Sequence, residues 1–198
     1  YRFTVVADEC YSELYLDETA PPLGLLEYCA RFRRNDFRLC LAMHSLSKRS
    51  SVPGLRSGFV AGDSPLIDSF FHYRTYQGGA MPLHVQHASM AAWSDENHVK
   101  ENRARYREKF EQVLAILSAC VSVEKPPAGF YLWPELEIDG ITACERLLGE
   151  AGVLVLPGDF LARPTSEGNP GQNRVRLALV PEIDVCVEAA QRISNTLR

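Results

Sequence analysis

No stretch of this chain is apolar for long enough to cross a bilayer, and its first residues lack the charged-then-apolar pattern of a secretory signal. A surplus of positive charge is missing too: the formal net charge is -4, which argues against nucleic acid or an anionic membrane as the main partner. Six cysteines, at positions 10, 29, 40, 120, 144 and 186, form neither close pairs nor metal-type spacings, so free buried thiols are expected. His84 and His87 fall three apart on an expected helix, but no third ligand is near, and no metal site is expected. Internal repeats and coiled-coil heptads are absent. What remains is a 198-residue chain with 46% apolar residues, enough for a sizeable core in one domain or a large part of two. A cytoplasmic location is expected.

The informative residue is Lys48. It closes the run Ser45-Leu46-Ser47-Lys48 and is followed eight residues later by Arg56, then by Gly58. A lysine amine forms a Schiff base with a carbonyl only when part of it is neutral, which a desolvated pocket or nearby positive charge favours. Arg49 and Arg56 are placed to supply that charge. A phosphate dianion wants a guanidinium fork and short hydroxyl donors, and Ser45, Ser47 and Arg56 meet that need. The pattern suits pyridoxal phosphate.

Upstream, Phe3 to Ala7 reads as a buried strand ending at Asp8-Glu9-Cys10-Tyr11. Catalytic groups in open α/β sheets gather at the carboxyl ends of strands. The cofactor withdraws electrons only while its ring nitrogen stays protonated, and Asp8 is the natural carboxylate for that task. Tyr11 is near enough to hydrogen-bond the cofactor's phenolic oxygen, and Glu9 is expected to act behind them. Taken singly, each residue has a plainer reading. Lys48 with Arg49 suits a solvated basic turn, Asp8 a helix cap, and Arg176 a structural ion pair.

Four segments in order, Asp8-Glu9-Cys10-Tyr11, Ser45-Leu46-Ser47-Lys48, Pro53-Gly54-Leu55-Arg56-Ser57-Gly58 and Arg174-Val175-Arg176-Leu177, resemble the motifs of the class I/II aminotransferases of PLP fold type I. Within that family the likeness is greatest to the bacterial succinyldiaminopimelate transaminases. It rests on Pro21 to Glu27, His44 to Arg49, Tyr73 to Tyr76 and Ala91 to Glu96. The resemblance implies that Lys48 forms the Schiff base and shuttles the substrate's α-proton. By the same likeness Asp8 pairs with the ring nitrogen, Tyr11 with the phenolic oxygen, and Ser45 and Arg56 with the phosphate. Arg176 clamps the substrate α-carboxylate, and Arg174, on the same strand face, is the weaker candidate for that role. Near the partner subunit's pocket in relatives, Arg74 or Tyr76 would meet the distal end of an acidic substrate. The ordered set, more than any one member, favours the cofactor reading.

The resemblance further implies an α/β fold: the C-terminal part of the large domain over 1–95, a connecting long helix over 96–120, and a small C-terminal domain over 121–198. The family's amino-terminal arm, its Gly/Ser phosphate loop and an Asn beside the phenolic oxygen are not found, so the chain looks like the carboxyl-terminal half of such an enzyme. Its expected activity is ping-pong amino transfer from glutamate to an N-succinyl amino-ketopimelate, in lysine biosynthesis, by a homodimer. Small amino-acid and keto-acid substrates are then its partners. Three alternatives stand beside this: another PLP reaction such as a β-lyase, a regulator that senses PLP, and an inert folding unit.

Hydrophobic spacing places helices at Pro22 to Arg34, from Ser64 as N-cap with Pro65 following, at Leu83 to Trp93, Glu96 to Ser118 and Ile141 to Ala151, and from Ile183 onward. Strands are expected at Arg38 to His44, Gly58 to Ala61, Val121 to Glu124, Gly129 to Pro134, Val153 to Leu156 and Arg174 to Val180. Arg163 to Asn173 reads as a loop.

Overall fold

The computed structural model describes residues 2–198, which divide into two compact units, one running to Arg103 and the other from Ala104 to Arg198. The first contains β1 (Val5–Asp8), α1 (Leu25–Arg31), β2 (Cys40–Ser45), α2 (Leu46–Arg49), β3 (Gly58–Gly62), α3 (Ser64–Arg74) and α4 (Leu83–Ser94). Its strands form a sheet of order β1-β2-β3, with β1 parallel and β3 antiparallel to β2. Parallel neighbours need a crossover, and the segment carrying α1 provides it. Asp8 then stands opposite Met43, and Ser45 opposite Gly58, so the functional candidates collect at one end of the sheet.

The long α5 (Asn97–Leu117) begins in this unit and continues into the second. Its buried stripe runs Val99, Arg103, Tyr106, Phe110, Val113, Leu117, alternating steps of four and three. Arg103 occupies a core position there. The side chain is tolerated because Glu18 accepts from Nε and Nη2, each at 2.8 Å, and Tyr15 lies under the guanidinium at 4.2 Å.

The second unit adds β4 (Tyr131–Leu132), α6 (Gly140–Ala151), β5 (Leu156–Pro157), β6 (Val175–Ala178) and α7 (Ile183–Leu197). The sheet order is β4-β6-β5, antiparallel throughout. Asp139 caps α6 by accepting from the backbone N–H groups of Ile141 and Thr142 at 3.0 Å each. Gly152, at φ 63°, ends the same helix in the left-handed conformation that glycine adopts without penalty. Ala143 and Leu147 of α6, Ala190 and Ile193 of α7, and Phe110 of α5 are buried together with Leu132 and Val175 of the sheet in this unit's core. Burying a side chain such as Phe110 contributes about 1.5–3 kcal/mol.

Several expectations are corrected. The expected strand is not buried within this chain: Val6 of β1 is 51% and the preceding Phe3 65% exposed, and β1 is the end strand of its sheet among the described residues. α3 likewise leaves Phe70 and Phe71 exposed despite their helical spacing. Asp63, not Ser64, holds the N-cap position of α3, and its carboxylate instead accepts from the Leu39 N–H at 2.6 Å. Val121 to Glu124 forms no strand, only a bridge from Ser122 to Glu135. Among the described residues no helix is long and apolar enough to cross a membrane. Every cysteine is free.

Candidate functional site

The first group of candidates is built where β1 and β2 end side by side. Asp8 is the last residue of β1, and the chain beyond it stays attached to β2 through Glu9 N–H donating to the Met43 carbonyl at 2.9 Å. The turn that follows brings the Tyr11 ring toward Lys48, whose Nζ lies 5.6 Å from the ring centroid. Lys48 sits on α2, a single turn begun by Ser45, whose Oγ accepts the Ser47 N–H at 3.1 Å. The two hydroxyls of Ser45 and Ser47 are 2.8 Å apart.

Arg56 enters this arrangement through its backbone. It adopts the left-handed conformation, φ 51°, at the end of the tight turn Pro53–Leu55, and its Nη1 donates to the Pro53 carbonyl at 2.8 Å. The next carbonyl, that of Ser57, accepts from Leu46 N–H at 3.1 Å and from Ser45 Oγ at 3.2 Å, joining the end of the loop to the start of α2. The Ser57 and Ser89 hydroxyls share a buried hydrogen bond of 2.8 Å, which fastens the loop to α4. Gly58 pairs with Ser45 and has no room for a side chain, since a Cβ there would collide with the His44 carbonyl oxygen.

Cys10, to which the sequence assigns no role, shapes the electrostatics. Its thiol, and after it its backbone N–H at 3.1 Å, hold the Asp8 carboxyl below the usual 3.8. Burial, followed by the hydrogen bond to Asp8, pushes the Cys10 thiol up to about 11, so at neutral pH it stays protonated and donates. Glu9 has a structural task. Its Oε1 accepts the Leu25 N–H at 2.7 Å, capping α1 where Gly24 offers no side chain, and its Oε2 lies 3.2 Å from His44 Nε2.

Arg49 departs from expectation. The sequence places it to supply positive charge beside Lys48, yet its side chain is only 3% exposed and is held by Glu13 and Glu96. Two carboxylates neutralise the charge, so Arg49 supplies no free field at the lysine. Arg74 also turns inward on its own loop, donating to the carbonyls of Gln77 and Gly79 at 2.8 and 3.2 Å.

Arg176 belongs to the second unit. On β6 the residues Val175 and Leu177 face the core, while Arg174 and Arg176 share the other face. Arg174 is engaged by Glu135 at 2.7 Å and the Trp133 carbonyl at 3.1 Å. The Arg176 guanidinium lies over the Tyr131 ring at 4.5 Å.

A carboxylate, an amine, a phenol and two hydroxyls at one sheet end, with Arg56 in the adjoining loop, are the groups that could hold pyridoxal phosphate. By chemistry, Asp8 could face a protonated ring nitrogen, Tyr11 a phenolate oxygen, Lys48 an aldehyde, and Ser45, Ser47 and Arg56 a phosphate.

The sequence matches the family model described as aminotransferase class I and II over residues 1–193. A probable aminotransferase of Mycobacterium tuberculosis is 35% identical over 191 residues, a match covering 96% of this chain and 43% of that protein. The 4-dedimethylamino-4-oxo-anhydrotetracycline transaminase of Streptomyces rimosus is 35% identical, with 96% and 50% covered. An LL-diaminopimelate aminotransferase of Maridesulfovibrio salexigens is 30% identical, with 98% and 48% covered. Among solved structures, an aminotransferase from Neisseria meningitidis superposes with a TM-score of 0.93 at 49% identity, over 99% of this chain and 50% of that one. A probable N-succinyldiaminopimelate aminotransferase from Thermus thermophilus gives 0.79 at 25% identity, over 98% and 50%. The chain spans about half the length of the curated relatives it matches.

Proposed function

The chain belongs to the aminotransferase class I and II family, which is pyridoxal phosphate-dependent, and from that premise we propose that it is part of a transaminase with Lys48 as cofactor-binding amine and proton carrier. The observation that carries this reading is the meeting of Lys48, Tyr11 and Asp8 where two parallel strands end.

When bound, pyridoxal phosphate supplies an aldehyde that an amine captures and a ring that withdraws electron density from the carbon beside the substrate nitrogen. The chain's own residues do the rest. The Asp8 carboxylate, held ionised by Cys10, keeps a proton on the ring nitrogen. Tyr11 donates its phenolic proton toward the ring oxygen and orients the ring. Ser45, Ser47 and Arg56 anchor the phosphate. Lys48 would hold the cofactor through its aldehyde and, as a free amine, would take the proton from the substrate α-carbon at Nζ and deliver it to the former aldehyde carbon on the other side of the nitrogen. Arg176 holds the substrate α-carboxylate through paired N–H donors.

For substrates, we propose glutamate as amino donor and an N-succinyl amino-ketopimelate as acceptor, in a homodimer. Support comes from the motif likeness between His44 and Arg49, from the Thermus neighbour's name, and from the 30% identity to an enzyme named for LL-diaminopimelate. The 35% identity to a tetracycline-pathway transaminase favours a second reading, the same amino transfer on a different acceptor.

The test uses the full-length protein that contains this chain. Incubation with pyridoxal phosphate, borohydride reduction and peptide mapping should place the adduct on Lys48, and Lys48→Ala should abolish it while lowering turnover by about 10²–10⁴-fold. A panel of keto acids with glutamate then ranks acceptors. No amino transfer to any keto acid would sink the transaminase reading, and preference for a non-succinylated acceptor would sink the finer one.

A further inference from the structure

The turn that carries Lys48 is too short to hold its own direction. α2 has four residues, and an isolated helical turn is unstable because nucleation fixes several dihedrals for a single hydrogen bond. Something outside the turn must set its orientation. Residues three apart share a helix face, and here Leu46 and Arg49 form the buried face while Ser47 and Lys48 are only half-buried.

Arg49 is tied on every side. Its Nη1 donates to the Ala92 carbonyl at 2.8 Å, in the last turn of α4, where carbonyls lack helical partners and a cation is favoured. Its Nη2 pairs with Glu96 and its Nε approaches Glu13 at 3.5 Å. The Trp93 ring lies 5.1 Å from the guanidinium carbon. One residue on, the Ser50 hydroxyl is 2.8 Å from His98 Nε2, and His98 Nδ1 is 2.8 Å from Asp95. The segment 92–98 thus grips the lysine turn at two successive residues.

We propose that Arg49 is a positioning residue for Lys48: its clasp by Ala92, Trp93, Glu96 and Glu13 fixes the one-turn helix so that the lysine amine stays over Tyr11. This rests on the cofactor reading above. A planar fork is what the position requires, since a lysine ammonium reaches one or two of these acceptors but cannot span them and stack on Trp93 together. Arg49 acts through geometry, its own charge being neutralised.

The experiment follows cofactor capture as well as turnover. Cofactor-free full-length protein, as wild type, Arg49→Met and Arg49→Lys, is mixed with pyridoxal phosphate, and the rate at which borohydride traps it on the Lys48 peptide is measured well below each variant's melting temperature. Arg49→Met should slow trapping on Lys48 at least about 10-fold, and lower kcat with KM for the amino donor within about threefold. Arg49→Lys should fall between. Wild-type trapping rates and kcat in a folded Arg49→Met protein would overturn the inference and leave the cofactor reading intact. Absence of any Lys48 adduct in the wild type would overturn both. If Arg49→Met does not fold, Arg49→Lys decides, and capture at the wild-type rate in that variant overturns the proposal.

Discussion

Arg174 is ion-paired to Glu135 at 2.7 Å, while Arg176, two residues on and on the same face of β6, rests its guanidinium over the Tyr131 ring. Arg174 is thus held by a carboxylate, while Arg176 is the arginine we propose for the substrate α-carboxylate. Arg176→Ala should raise KM for the amino donor and lower kcat/KM by roughly 10–100-fold, the worth of charge-assisted hydrogen bonds. Arg174→Ala should change stability by about 1 kcal/mol or less, since the ion pair is partly solvated, with KM unchanged. Steady-state kinetics and urea melts on both variants check the contrast.

The pH dependence turns on Asp8. Its folded pKa is depressed below the ordinary 3.8 by the Cys10 thiol and then the Cys10 N–H, so what those donors contribute is fully present above the ordinary value and lost as pH falls through the folded one. Replacing the thiol in Cys10→Ala raises the Asp8 pKa toward normal. The acid limb of the kcat/KM profile should move to higher pH in that variant. An unmoved limb would show that the thiol leaves Asp8 unaffected.

Leu46 is fully buried on the same small face as Arg49. Leu46→Ala should cost about 2–5 kcal/mol of stability, from lost transfer energy and a cavity beneath the lysine turn. Denaturant unfolding of the full-length protein measures it.

Arg103 and Glu18 should respond unequally. Glu18→Ala leaves a buried guanidinium with the longer Glu13 contact, at 3.7 Å, and the Tyr15 ring as compensation, and should cost about 3 kcal/mol. Arg103→Met leaves behind a carboxylate that solvent reaches, and should cost less. Equal costs in thermal or urea melts would contradict the asymmetry.

How much of this was legible in the sequence depends on what each residue touches. The helices α5 to α7 follow from apolar spacing, since each buries a stripe of residues, whereas α4 buries only Val85 and Ser89. The lysine turn and its hydroxyls follow from chemistry that few residue types supply. Burial of β1 did not follow, because Val5 and Val6 look the same at an edge as in a centre. Arg49 and Arg103 were illegible for a different reason. A buried arginine is recognised by its carboxylates, and Glu13, Glu18 and Glu96 are distant from them in sequence. Cys10 is not legible in the sequence, because a lone thiol beside an aspartate carries no spacing signal. The Glu9 cap could have been found, given a helix start at Leu25 with no capping side chain of its own.

Gly58, lodged against the His44 carbonyl, makes its position a closed one for natural variation. Every missense change there adds at least a Cβ, so drift is possible only if β2 and β3 part and carry Ser45 with them. A laboratory library randomised over residues 45–58 should therefore return sequences that vary in the loop between Ser50 and Leu55 and keep glycine at 58, even under selection for folding alone.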